Sequence, residues 1–121
     1  MATTTMSPRD HRQVALDFLA ASDEEFERGD VLQGAEKSWG AATHAVMSVA
    51  QERGWAHDSH RALKNAVVRL AEEHDDPLIR CNFGFAEKFH RHFYQDSMED
   101  WERESDRPLV HEFVRRVLAL S

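Results

Sequence analysis

The sequence has one cysteine, Cys81, which excludes an intramolecular disulfide framework and suits the reducing cytoplasm. It has no apolar window approaching the ~18 residues that a membrane span needs, so no membrane partner is expected. Residues 1–7 are polar and Thr-rich with no apolar stretch behind them, unlike a signal or transit peptide. Repeats, low-complexity tracts and internal linkers are missing, and no segment sustains the two-residue alternation of a half-buried strand, which argues against a sheet. A surplus of basic residues is missing too. The chain has 15 Lys and Arg against 22 Asp and Glu, a net charge of −7, which disfavours sequence-independent polyphosphate binding as its main task. Arg91, Arg103, Arg107, Arg115 and Arg116 still leave room for a local basic edge in the last third.

What is present reads as helices. Hydrophobic residues are 41% and charged residues 31% of the 121, a globular balance long enough for a core without staples. Residues 1–6 read as a flexible tail and 7–121 as one all-α domain, a bundle of four to five helices. Ser7 caps the first helix, with Pro8 at its first position and Asp10 in its first turn. Gly29 stops it, and Asp30 with Gln33 starts the second. That second helix has a large apolar stripe (Ala35, Trp39, Ala42, Val46, Val49) beside a small one (Gly34, Ser38, Ala41, Ala45, Ser48), the pattern of a central helix approached closely by a neighbour. Gly54 closes it. Asp58 or Ser59 caps a third helix, and Asp76-Pro77 opens a fourth with a broad aromatic face. Ser97 with Asp100 suggests a separate capped turn, and Asp106 with Pro108 the start of the last helix.

Eight histidines is a high count for this length and points to metal, acid–base chemistry or pH sensitivity. Glu36, Gly40 and His44 share a face of the second helix, with the glycine leaving room above the backbone. His60 lies on the inward edge of the third helix, one turn before Leu63. His90 falls on the inward stripe of the fourth, and Glu87 three residues ahead gives the Glu-x-x-His spacing used by carboxylate-bridged metal sites in bundles. A dinuclear site needs two such elements and the chain has one, which leaves a mononuclear transition-metal site from His44, His60 and His90 with Glu36 or Glu87. Each histidine also has a plain structural reading, bonding a carbonyl or capping a helix end. In a second constellation, Arg53 precedes His60 across a helix junction. A guanidinium holding a phosphate beside an imidazole moving protons can cleave RNA without metal. The same residues could simply support two helix ends. Cys81 reads as an inert thiol, and Trp55 and Trp101, near junctions, as packing or interface anchors.

The run from Gly29-Asp30 through Ala35-Glu36-Lys37-Ser38-Trp39-Gly40-Ala41-Ala42-Thr43-His44-Ala45, then Arg53-Gly54-Trp55 and Ser59-His60, and finally Ala86-Glu87-Lys88-Phe89-His90-Arg91-His92-Phe93-Tyr94, resembles the archaeal and bacterial paREP-type proteins, in or near the HEPN superfamily of helical nucleotide-binding bundles. The resemblance covers roughly residues 28–95. It implies a four- to five-helix bundle, a homodimer, and either RNA cleavage or a nucleotide-binding or scaffolding role. Active members have an arginine, four to six residues, then a histidine, and Arg53 to His60 satisfies that spacing. Here the pair joins the second and third helices and Gly54 follows the arginine, where members commonly have a polar residue. The leading expectation is therefore a HEPN-like module that binds a nucleotide, RNA or protein partner. The alternatives are a metal-independent endoribonuclease using Arg53 and His60, and the mononuclear metal protein. No cofactor is expected unless the third holds.

Overall fold

A computed structural model describes residues 5–121 and contains five helices, α1 (Pro8–Glu27), α2 (Val31–Glu52), α3 (His60–Glu73), α4 (Pro77–Gln95) and α5 (Asp100–Leu118), with no strand among the described residues. Most of the helix starts follow the capping chemistry of the sequence. Ser7 Oγ accepts from the Asp10 amide while the Asp10 carboxylate accepts from the Ser7 amide, and these bonds hold the Asp10 carboxyl below its usual range. Asp30, Ser59 and Asp76 cap α2, α3 and α4. Gly29 and Gly54 take positive φ after α1 and α2, where a Cβ would be strained. Of the expected tail, residues 1–4 lie outside the described residues, and Met6 is tied down, its carbonyl accepting from Gln51 Nε2 at 2.8 Å.

α2 is the central helix. Both of its stripes are buried, the small one against α1. Ser22 of α1 bonds Ser38 Oγ at 2.7 Å and the Gly34 carbonyl at 2.8 Å, a close approach that larger side chains would prevent. α1 runs antiparallel to α2, since Ser22 meets Ser38 near one end and Pro8 meets Ser48 near the other. α3 runs parallel to α2: Trp39 lies beside His60, and Arg53 bonds Glu73. A parallel neighbour needs a connection that returns the length of the helix, and residues 54–59 form it, an extended strap along the bundle. α4 and α5 complete the core, which centres on Val46, Leu70, Phe83, Phe89 and Phe113. No described helix is long and apolar enough to cross a membrane.

The last helix departs from the expectation. It begins at Asp100 and not near Asp106, and Pro108 lies inside it. The Glu99 amide is satisfied by Glu102, and Arg103 spans Asp100 and the Met98 carbonyl. Lys88 of α4 then holds Glu102 at 2.8 Å and the buried Asp106 at 2.9 Å. These tertiary bonds hold the first two turns helical although proline removes one backbone donor and disfavours the interior of a helix. The separate turn expected at Ser97 is instead organised by His92. This residue is fully buried, and its Nδ1 accepts the Met98 amide at 2.9 Å, behind a left-handed Asp96.

Candidate functional site

Four of the six residues singled out in the sequence meet around Trp39, at one end of the α2–α3–α4 sector. His90 of α4 lies nearly parallel to the indole, with ring centroids 4.7 Å apart and 21° between planes. His60, the first residue of α3, meets the same indole edge-on at 5.1 Å. Each imidazole is held by a carboxylate from another helix. His60 Nε2 is 2.9 Å from Glu87 of α4, and His90 Nδ1 is 3.2 Å from Glu36 of α2. The two rings are 6.5 Å apart and share a cavity of about 270 Å³ walled by Trp39, Met47, Leu63 and Thr43, with Asp58 and Ser59 at its edge. Lys64 lies one turn after His60, with Nζ 4.0 Å from the Glu87 carboxylate.

The carboxylates set the tautomers. A nitrogen facing a carboxylate carries the hydrogen, so the neutral rings leave His60 Nδ1 and His90 Nε2 as acceptors. Glu87 and His90, three residues apart on α4, do not bond one another. The Glu-x-x-His spacing instead places each beside a partner on a different helix, Glu87 with His60 and His90 with Glu36.

His44 is elsewhere. Eight residues of helix advance about 80° beyond two full turns, so Glu36 faces α4 while His44 faces α1. The space above Gly40 is filled by Phe18, whose ring would come within 2.9 Å of a Cβ there. His44, His60 and His90 are therefore not brought together, and among the described residues no three His, Cys, Asp or Glu groups are placed to hold a metal ion. Arg53 is also remote from His60. Its guanidinium bonds Glu73 at 2.9 Å and the Leu120 carbonyl at 3.3 Å, at the far end of α3, about 20 Å along the helix from its first residue. The six intervening residues that match an arginine–histidine spacing are the strap, which carries the two apart.

A second histidine group lies where α1, α2 and the strap meet, unmarked as a group in the sequence. His11 of α1 and His44 of α2 face each other with Nδ1 atoms 2.9 Å apart, and His57 of the strap lies edge-on to His11 at 6.1 Å. Burial lowers the pKa of His11, with the neighbouring His57 adding to it, and burial followed by His11 lowers that of His44. The signal for His11 was its place on the stripe with Ala15, Leu19 and Ser22; nothing local marked His57. Burial, then Arg103, lowers the pKa of His92 as well. On the other side of the strap a groove of about 530 Å³ runs along α3 beside Trp55, Arg61 and Arg69. The Arg69 guanidinium lies 4.2 Å over the Trp55 ring.

A family model described as the archaeal PaREP1/PaREP8 family matches residues 10–114. No curated protein and no solved structure matches the chain.

Proposed function

Since the chain belongs to the archaeal PaREP1/PaREP8 family, we propose that it is a HEPN-like helical module that binds a nucleotide in the pocket around Trp39. The observation that supports this reading is the planar His90–Trp39 stack facing the second imidazole of His60 across one small cavity. A heterocyclic base gains stacking energy on such a wall, about 1–3 kcal/mol by the measure of aromatic deletions. His60 Nδ1 and the Asp58–Ser59 edge offer hydrogen-bonding groups to its rim. The charge of −7 favours a single nucleotide over a long polyanion. Titration of purified protein with purine and pyrimidine mononucleotides, followed by tryptophan fluorescence and calorimetry, tests the reading. Binding should weaken at least tenfold in His90→Ala and His60→Ala and be indifferent to a chelator. Failure of every nucleotide to bind folded protein at millimolar concentration would sink it.

A second reading is metal-independent RNA cleavage at the same pocket, favoured by two imidazoles 6.5 Å apart, each oriented by a glutamate and each with one ring nitrogen free. One takes the proton of the attacking hydroxyl, the other protonates the leaving oxygen, and Lys64 faces the phosphate charge. In this form Arg53 has no part. Cleavage of unstructured RNA in chelator should then vanish in His60→Ala and His90→Ala but survive Arg53→Ala; loss in Arg53→Ala with His90→Ala active would return the reading to the arginine–histidine pair. The family resemblance also implies a homodimer, and the single cysteine suits the cytoplasm. The exposed Tyr94, which packs on His90, and Trp101 supply apolar surface for such an interface. Light scattering at micromolar concentration should give twice the chain mass.

A further inference from the structure

We propose that the His11–His44 pair is a proton-operated latch that holds the start of α1 and the strap of residues 54–59 against α2. The ring centroids are 5.1 Å apart and the Nδ1 atoms 2.9 Å, so the two nitrogens point at each other. Only one hydrogen fits between them. At neutral pH one imidazole donates and the other accepts. One proton taken up at Nε2 of the donor ring leaves that bond in place with a single positive charge; a second proton sets two N–H groups and two positive charges head to head, and the pair must then separate.

The groups around the pair offer no relief. His57 of the strap approaches His11 edge-on and adds a third titratable ring, and the apolar ring of Phe18 lies 5.7 Å from His44. Among the described residues the carboxylate that acts on His11 is Asp10 on its own helix, which is committed to the Ser7 cap. His60, His90 and His111, by contrast, each lie 2.9–3.2 Å from a carboxylate that would balance a proton.

Near the latch both segments are held by polar bonds as well as by packing, with Trp55 of the strap lying against the core. The first residue of α1 and the segment before it meet α2 through polar bonds, Ser48 Oγ to the Pro8 carbonyl and Gln51 Nε2 to the Met6 carbonyl, both 2.8 Å. Among the described residues the strap has two backbone bonds to α2, both at its first two positions, from the Gly54 amide to the Gln51 carbonyl and from the Trp55 amide to the Ala50 carbonyl, and the His57 side chain bonds within the strap, to the Trp55 carbonyl. Proton uptake therefore frees these two segments before it disturbs the core. Because Asp58 and Ser59 edge the Trp39 cavity, release of the strap also unmakes one side of that pocket. That consequence rests on the nucleotide reading above; the latch itself does not.

Hydrogen exchange of the full chain at pH 7.5 and 5.5, corrected for the intrinsic pH dependence of exchange, tests the latch without any ligand. The wild type should lose at least tenfold protection at pH 5.5 in peptides covering residues 6–12 and 54–59, with α4 unchanged. His44→Asn, whose amide can face His11 but takes no proton, should keep the same protection at both pH values. Undiminished protection in the wild type, equal loss in His44→Asn, or opening that begins at residues 96–100 beside His92 would each overturn the proposal. Should His44→Asn fail to fold, imidazole NMR of the wild type decides. Two coupled steps, one well below the ordinary histidine range, support the latch, and two independent ordinary titrations overturn it.

Discussion

Trp39 does its work through both the face and the edge of one ring: it fills the core beside Phe83, carries His90 on its face and meets His60, while only 9% of it is exposed. A side chain so placed ties core to site, so Trp39→Ala would damage both and cannot test function alone. Glycines separate packing from helix propensity more cleanly. A Cβ at Gly34 would come within 2.8 Å of the Phe26 ring, which itself packs against Phe89 and under Arg107. Gly34→Ala should therefore cost about 1–3 kcal/mol, the usual penalty of overpacking. At Gly84, on the exposed face of α4, a Cβ meets nothing within 4 Å. There the same substitution should stabilise by about 0.5–1 kcal/mol, because alanine loses less freedom on folding. Urea denaturation of the two variants checks the opposite signs.

Among the elements, α5 is the one whose local sequence and tertiary setting disagree. Pro108 is exposed, and its ring leaves the Glu104 carbonyl without the usual donor. Pro108→Ala should restore that bond and raise stability by about 1–3 kcal/mol, read as a higher melting temperature; an unchanged or lower value would mean that the proline sets a bend the packing needs. Lys88 is the compensating contact. Bonds to Glu102 and Asp106 raise its pKa, and the same lysine lowers that of Glu102. Lys88→Met leaves Asp106 buried and unpaired, which should cost about 2–4 kcal/mol, the lower end reflecting the partly solvated lysine. The loss should appear first as faster hydrogen exchange in residues 99–107. The α4–α5 junction also shows why histidine is hard to read: His92, fully buried, caps a turn, whereas His90 two residues earlier faces a cavity.

At the scale of the whole molecule, the buried histidines govern the response to acid. His11, His44 and His92 all have pKa values below the ordinary 6.5 in the folded state. Between the folded values and 6.5 the unfolded chain binds more protons, so stability rises with pH there and is lost as pH falls through 6.5, at up to about 1.4 kcal/mol per pH unit for each group. The melting temperature should drop by several degrees from pH 7.5 to 5.5, and a flat profile would contradict this. The range of the forces involved separates the features written in the sequence from those set by long-range packing. Caps at Ser7, Asp30, Asp58 or Ser59, and Asp76, stops at Gly29 and Gly54, and the two stripes of α2 act over a few residues, and they suffice to specify an all-α bundle with a central second helix. The convergence of Glu36, His60, Glu87 and His90 was half legible: each was marked by helical spacing, but their partners lie up to 54 residues away. The parallel course of α3 along α2 is fixed in three dimensions alone, because a strap of six residues can turn back or run along the bundle with the same local chemistry. That one choice sends Arg53 and His60 to opposite ends of α3, and the accumulated twist of α2 turns His44 toward α1. Distances along a sequence fix positions on one helix; which helices meet, and in which direction, is set by how all the apolar faces are buried together.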